Sequence, residues 1–187
     1  MKLLPAIAAA LLLSGCVGVK SIQPLYTTET LVSEPALVGA WTDDKGEVTM
    51  RVRQKDKDYS VVVREKKKKD EMFQVRLVRI DGDLFADVTD HQNSTMAIPA
   101  HAFAKITLDG KDKAILAFFD SGWVRQQIRQ TKQVEFVLST PTPGGKEEDR
   151  DLYLLAPPVQ LTELIRRYRT ESKAFGEPAK LHRTSGR

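Results

Sequence analysis

Short runs in which apolar and polar residues alternate dominate the chain from Leu37 onward. In segment 48–53, for example, Val or Met occupies every second position and Thr or Arg fills the positions between them. Alternation with a period of two is typical of a β-strand that has one buried and one exposed face. On this pattern we predict strands at Leu37–Thr42, Glu47–Gln54, Asp58–Glu65, Met72–Ile80, Leu84–Val88, Ala102–Leu108, Ala114–Phe119, Gly122–Gln127, Val134–Ser139 and Asp151–Ala156.

Turn-forming residues separate many of these strands. Such groups stand at Asp44-Lys45-Gly46, Asp81-Gly82-Asp83, Asp109-Gly110-Lys111 and Pro143-Gly144-Gly145. Gly and Asp in short connections favour tight hairpins, which join antiparallel neighbours. Because no helical pattern lies between the strands, parallel βαβ units are excluded. The alternation changes phase within Met72–Ile80, which favours a β-bulge there, and Ile115–Phe119 is apolar on both faces.

One amphipathic helix is predicted after Pro157-Pro158. Four apolar residues are spaced i, i+3, i+4 and i+7 and therefore share one helix face: Leu161, Leu164, Ile165 and Tyr168. Proline suits the first turn of a helix, and the arginines that follow suit its last turn. We expect the apolar stripe to pack on the strand Ile115–Phe119. The alternative is that the stripe is a docking face for another protein.

The chain begins with an export signal. Met1-Lys2 is positively charged, Leu3–Leu13 is an almost unbroken run of Leu, Ala and Ile, and Leu13-Ser14-Gly15-Cys16 follows. The apolar run has 11 residues, which is too short for a membrane-spanning helix of about 20. Leu-Ser-Gly-Cys resembles the bacterial lipobox, in which the cysteine is diacylated, the chain is cut before it and the new amino terminus is acylated.

This resemblance implies that Cys16 is the lipidated first residue of a membrane-anchored mature protein. Cys16 is the only cysteine of the chain, which excludes an internal disulfide. The alternative is an ordinary signal peptide with a cysteine near the cleavage site by chance. Val17 follows the cysteine, where an aspartate would resemble the inner-membrane retention signal of diderm bacteria. In a diderm bacterium we therefore expect an outer-membrane lipoprotein that faces the periplasm.

Four segments are predicted along the chain. Residues 1–15 form the signal peptide, and residues 16–36, with Ser, Thr, Gln and two prolines, form an extended tether. Residues 37–176 form one domain, because 41% hydrophobic residues in a chain of 187 suffice for a globular core. Residues 177–187 have almost no apolar side chains and form a basic, disordered tail. The net charge of +4 is too small and too dispersed to indicate nucleic-acid binding.

Nine or ten sequential antiparallel strands followed by one helix resemble a lipocalin-like up-and-down barrel, in which closure removes the sheet edges. Gly39-Ala40-Trp41 resembles the Gly-x-Trp of the first lipocalin strand, whose tryptophan closes one end of the barrel and often packs under a basic side chain. The resemblance implies that Arg125 or an arginine of the C-terminal helix lies over Trp41. The lipobox and Pro99-x-His101-x-Phe103 also resemble a group of uncharacterised bacterial lipoproteins.

Catalytic chemistry has little support in the sequence. The chain has no Gly-x-Ser-x-Gly elbow and no glycine-rich loop before a helix, so we predict no catalytic residues and no cofactor. The three histidines, His91, His101 and His182, lack the spacing of metal ligands, and we predict no metal site. The group Asp87, Asp90 and His91 is explained by loop capping and solvation. We therefore expect the protein not to be an enzyme.

Four residues are candidates for closing the barrel or lining the ligand rim: Trp41, His101, Trp123 and Arg125. His101 could act as a general base or a polar ligand contact, although a structural histidine at the barrel rim is the expectation. The run Lys66–Lys69 lies between two strands that should pair, and we expect a solvated hairpin tip. Its alternative is contact with anionic lipid headgroups or another acidic envelope polymer.

Two functions remain open. The first is a binding module whose barrel takes a small apolar or amphipathic ligand. The second is a non-catalytic structural or interaction protein of the cell envelope, whose barrel is filled by its own side chains. An empty apolar interior would favour the first and a packed interior the second.

Overall fold

The computed structural model describes residues 19–90, 100–131, 134–140 and 150–184. Cys16, the signal peptide, Val17, Pro99, His91 and the turn at Pro143-Gly144-Gly145 lie outside these ranges. Their predictions therefore remain predictions from the sequence. None of the helices in the described ranges is long and apolar enough to cross a membrane.

Within the described ranges the chain forms twelve strands, two α-helices and two short 3-10 helices. The strands are β1 Val19–Ser21, β2 Leu31–Val32, β3 Gly39–Asp43, β4 Val48–Lys55, β5 Asp58–Glu65, β6 Glu71–Ile80, β7 Asp83–Asp90, β8 His101–Asp109, β9 Lys113–Phe118, β10 Phe136–Leu138, β11 Leu152–Leu154 and β12 Ala179–Arg183. The α-helices are α1 Ser121–Thr131 and α2 Pro158–Tyr168, and the 3-10 helices are Pro35–Leu37 and Ser172–Ala174.

Eight of the strands close an antiparallel barrel. β3 to β9 follow one another as an up-and-down meander, and β12 pairs with both β9 and β3. α1, β10, β11 and α2 form an excursion between the seventh and the eighth barrel strand. The predicted fold class, a mainly β antiparallel barrel with a C-terminal helix, is confirmed.

The eighth strand lies where the sequence predicted a tail. Disorder over residues 177–187 is wrong for Ala179–Arg183, which form β12. Only two of its side chains, Ala179 and Leu181, are apolar and buried, and so short an alternation is hard to recognise. Backbone hydrogen bonds to a strand on each side make the segment ordered despite its polar sequence.

The predicted β-bulge in the fourth barrel strand is absent. β6 and β7 pair in one continuous register from Phe73↔Asp90 to Ile80↔Asp83. Leu77 packs inside the barrel and its neighbour Val78 packs outside, and both are buried. The change of phase in the sequence therefore comes from a strand that is covered on both faces.

The segment Gly122–Gln127 was predicted as a strand and is helical instead. The Asp120 carboxylate accepts a hydrogen bond from the Trp123 N–H at 2.7 Å, which is the geometry of an N-cap. Val124 and Ile128 lie one helical turn apart and are both buried. So short an apolar stripe is hard to distinguish from strand alternation in the sequence, and Asp120 as an N-cap is the signal that indicates the helix.

The predicted tether is packed against the domain in its described part. β1 pairs with β8 and with β11, and β2 pairs with β6. Leu25, between them, is 2% exposed. The N-terminal segment thus packs on the outer wall of the barrel, because its few apolar residues find partners there. The predicted strands near 134–139 and 151–156 are β10 and β11, which extend this outer sheet.

A second apolar core lies between the barrel wall and α1 and α2. It joins outward-facing residues of β6, β7 and β8 to the buried stripe of α2, and includes Val78, Ile80, Phe85, Phe103, Leu161, Leu164 and Ile165. The helix therefore packs on the chain itself. Of the predicted partner strand only Phe119 belongs to this core, whereas Ile115 lies outside it.

Ion pairs tie the end of α2 to the turn between β6 and β7. Arg169 Nη1 lies 2.9 Å from Asp83 Oδ2, and Lys105 Nζ lies 3.0 Å from the same oxygen. Burial of Asp83 opposes its ionisation, but the hydrogen bonds and charges of Lys105 and Arg169 outweigh burial and lower the pKa of this carboxyl group. Acidification below that lowered pKa removes the stabilisation that this carboxylate provides.

Candidate binding site in the barrel

One end of the barrel is closed around Trp41. The indole is 2% exposed, and its Nε1 donates a hydrogen bond to the Leu37 carbonyl at 2.9 Å. Leu37 ends the 3-10 helix that precedes β3, and it faces the barrel interior beside the cavity. We call this end, with the turns 56–57, 81–82 and 110–112, the closed end.

Arg183 of β12 covers the outer side of the indole. Its guanidinium carbon lies 4.5 Å from the centre of the Trp41 ring. Its nitrogens also donate to three carbonyl oxygens, at 2.8 Å to Val38, 2.5 Å to Ala36 and 2.8 Å to Lys111. The basic side chain over Trp41 is therefore Arg183, and the expectation of Arg125 or an arginine of α2 is wrong.

Gly39 makes this arrangement possible. Its φ of +141° is one that residues with side chains rarely adopt. A Cβ atom at this position would overlap Nη1 of Arg183. Gly39, Trp41 and Arg183 form one structural unit, of which the sequence revealed the first two. Arg183 is not recognisable from the sequence, because β12 is too short and too polar to be distinguished from a tail.

The barrel encloses an apolar cavity of about 80 Å³. Its lining residues are apolar apart from Tyr59, whose hydroxyl accepts a hydrogen bond from the Glu34 N–H at 2.6 Å. Met50, Val61 and Phe73 are among the lining side chains. An eight-stranded barrel is just wide enough to be filled by side chains or to hold one small ligand. Here the side chains leave a narrow space that no polar group enters.

At the end opposite Trp41 the cavity is half-exposed along β6, β7 and β9, whereas its lining residues Val61 and Val63 on β5 are buried. On β6, β7 and β9 the lining residues near that end, Phe73, Val88 and Phe118, are half-buried. Towards the closed end, Leu84 and Ala114 on the same wall are buried. We call the half-exposed end, with the turns 44–47 and 66–70, the mouth.

His101 lies on the outer wall of the barrel and not at the cavity. Its Nδ1–H donates a hydrogen bond to Asp87 Oδ1, with 2.6 Å between the two atoms. The other Asp87 oxygen accepts the Leu25 N–H at 2.7 Å, and the Tyr26 ring contacts the imidazole edge-on at 6.5 Å. Asp87 and His101 therefore fasten the N-terminal segment to β7 and β8. The sequence grouped Asp87 with Asp90 and His91 and missed this pairing, because strand register decides it.

Trp123 and Arg125 lie on α1, away from the cavity. The Trp123 ring packs edge-on against Tyr168 with ring centres 4.8 Å apart. Arg125 is buried and donates a hydrogen bond from Nη2 to the Arg150 carbonyl at 2.5 Å. Neither residue lines the cavity or the mouth, so neither is a rim residue. Both residues were predicted as rim candidates on a strand at Gly122–Gln127, and this segment is part of α1 instead.

In the described ranges, no group of three or more His, Cys, Asp or Glu side chains is arranged to hold a metal ion. Comparison of the chain with protein-family models, with curated proteins and with solved structures gives no match.

Proposed function

We propose that this protein is a lipid-anchored, non-catalytic binding module of the bacterial envelope, which holds one slender apolar or amphipathic chain in its barrel. The observation that carries the proposal is the cavity of about 80 Å³ with its apolar lining. Its size argues against a drug-sized ligand, since such sites occupy about 300–1,000 Å³. A single alkyl chain suits a narrow space without polar groups, because each CH₂ transferred from water contributes about 0.8 kcal/mol.

The arrangement of the two apolar cores supports a cavity with a stable shape. The closed end is held by the Trp41 and Arg183 contacts, and the outer wall is backed by the core beneath α2. The wall formed by β6, β7 and β8 resists collapse, since its side chains have partners on both faces of the sheet, whereas the outward residues Arg51 and Arg53 of β4 are exposed. A cavity of about 150 Å³ holds one benzene ring, so a long alkyl chain enters this smaller cavity only if lining side chains move aside.

Filling the cavity should abolish binding. Val61 lines the cavity, whereas its neighbour Val62 faces the outside of the same strand. We expect Val61→Phe to weaken binding of decanol, a neutral single-chain probe, by at least about tenfold, and Val62→Phe to leave it unchanged. Isothermal titration calorimetry measures the affinities, and circular dichroism confirms that both variants are folded.

Native mass spectrometry of gently extracted protein supplies an independent test. A retained ligand mass that Val61→Phe removes supports the binding module. If decanol does not bind and no ligand mass is retained, the binding module is refuted. The alternative, an envelope interaction protein with a filled barrel, then takes its place.

The anchor is tested separately. We expect Cys16→Ser to abolish membrane retention, because the thiol that would carry the acyl chains is lost. Val17→Asp serves as the matched variant, and it should leave the lipid in place but move the protein to the inner membrane of a diderm host. Membrane fractionation and the intact mass of the mature chain are the measurements. An unmodified mature chain that starts at another residue would refute the anchor.

A further inference from the structure

We infer that the ligand is a single-chain anionic amphiphile, whose carboxylate or phosphate head is bound at the mouth by Lys66, Lys67 and Lys69. This inference rests on the proposed function and adds the chemistry of the head group. The three side chains belong to the turn 66–70, which joins β5 to β6 at the mouth and is exposed.

The turn lies within reach of the cavity. Val63 on β5 and Phe73 on β6 both line the cavity, and they are separated from the lysines by three and four positions along the strands. At about 3.3 Å per residue, the lysine backbones stand roughly 10–13 Å beyond the lining residues. An extended lysine side chain spans a large part of that distance. A chain in the cavity would therefore present its head group to these ammonium groups.

Two carboxylates beside the lysines are already engaged. Glu65 pairs with Lys68 at 2.8 Å, and Asp70 pairs with Arg64 at 2.8 Å. In the part of the chain that the structure describes, Lys66, Lys67 and Lys69 have no ion pair, and neither does Lys45 in the adjacent turn. Within those same ranges, Glu47, Glu71 and the buried Asp43, which flank the two turns, have no ion pair either, so the four cations exceed these carboxylates by one. The turn 66–70 therefore carries unpaired positive charge at the mouth end of the barrel.

The backbone at Lys67 fixes the shape of the turn. Its φ of +67° lies in the left-handed region, where glycine or asparagine costs less than lysine. Asp56 and Asp81 adopt the same region in hairpin turns at the closed end, so this conformation belongs to the turn geometry. It places Lys67 in a tight, exposed turn.

Four probes with the same alkyl chain test the head group on the purified full chain freed of bound lipid. They are decanoate, decyl phosphate, decanol and decyltrimethylammonium, and calorimetry gives each affinity. We expect the two anions to bind about tenfold more tightly than decanol and the cation more weakly than decanol, since exposed charge contacts are individually weak but add up. The preference should shrink as ionic strength rises.

The variant Lys66→Gln/Lys67→Gln/Lys69→Gln should bind all four probes with nearly the affinity of decanol. Its matched control carries the same charge change at the closed end, Lys57→Gln/Lys111→Gln/Lys113→Gln, and should keep the preference for anions. If all four probes bind equally, or if the mouth variant keeps the preference, the head-group inference is overturned while the binding module stands. If no probe binds, the proposed function itself fails. Lys67→Asn, which relieves the backbone strain, provides a second mouth variant should the triple variant fold poorly.

Discussion

Trp41→Ala is expected to lower the free energy of unfolding by about 4 kcal/mol, as loss of a buried tryptophan from a core does. The indole is almost fully buried, and its removal also leaves the Leu37 carbonyl without its donor. Arg183 would lose the ring beneath its guanidinium. Chemical denaturation monitored by circular dichroism measures the change.

Arg183→Lys provides the companion variant for this unit. Lysine keeps the charge but cannot donate to three carbonyl oxygens in the geometry of a guanidinium. We expect a smaller loss, about 1–2 kcal/mol, because one strong contact remains and the side chain is partly exposed. A Trp41→Ala variant less than 1 kcal/mol weaker than the parent would show that the closed end contributes little to the fold.

Asp87→Ala is expected to cost about 3 kcal/mol, because it leaves the Leu25 N–H and the His101 Nδ1–H buried without an acceptor. Asp58→Ala is the matched control. Asp58 also pairs with a basic side chain on the outer wall, but its carboxylate is 52% exposed, and its loss should cost less than about 1 kcal/mol.

A second measurement separates this effect from a general loss of stability. Since Asp87 holds the N-terminal segment to the wall, trypsin should cleave after Lys20 faster in Asp87→Ala than in the parent at the same temperature. The role assigned to the buried pair is wrong if Asp87→Ala and Asp58→Ala have equal stability and equal cleavage rates.

The sequence predicted the barrel well because seven consecutive strands carry their own alternation and their own turns. Segment 48–53 shows this directly, since its inward Val and Met and outward Thr and Arg match the observed faces of β4. Gly39 and Trp41 were recognised as the start of the first barrel strand. None of this requires knowledge of contacts between distant residues.

The outer layer and the eighth strand could not be predicted in the same way, because distant contacts determine them. Val19 and Leu25 are ordered by contacts with residues of the barrel wall that lie more than fifty positions away in the chain. β12 is ordered by its pairing with β3 and β9. A truncation after Pro158, which would seem to remove only the helix, would also remove β12. The cavity likewise depends on how side chains from opposite walls meet.

The position of β12 also affects how fast the protein can fold. Trp41 and Arg183 are register partners although 183 − 41 = 142 positions separate them, so barrel closure is a contact between nearly opposite ends of the folded chain. Folding rates fall as contacts become more distant in sequence, because the entropy of closing the loop must be paid before the contact forms. Until Ala179–Arg183 have been synthesised, β3 and β9 remain open edges that invite aggregation. A chaperone that shields these two edges would therefore raise the yield of this protein more than that of a barrel closed by local hairpins.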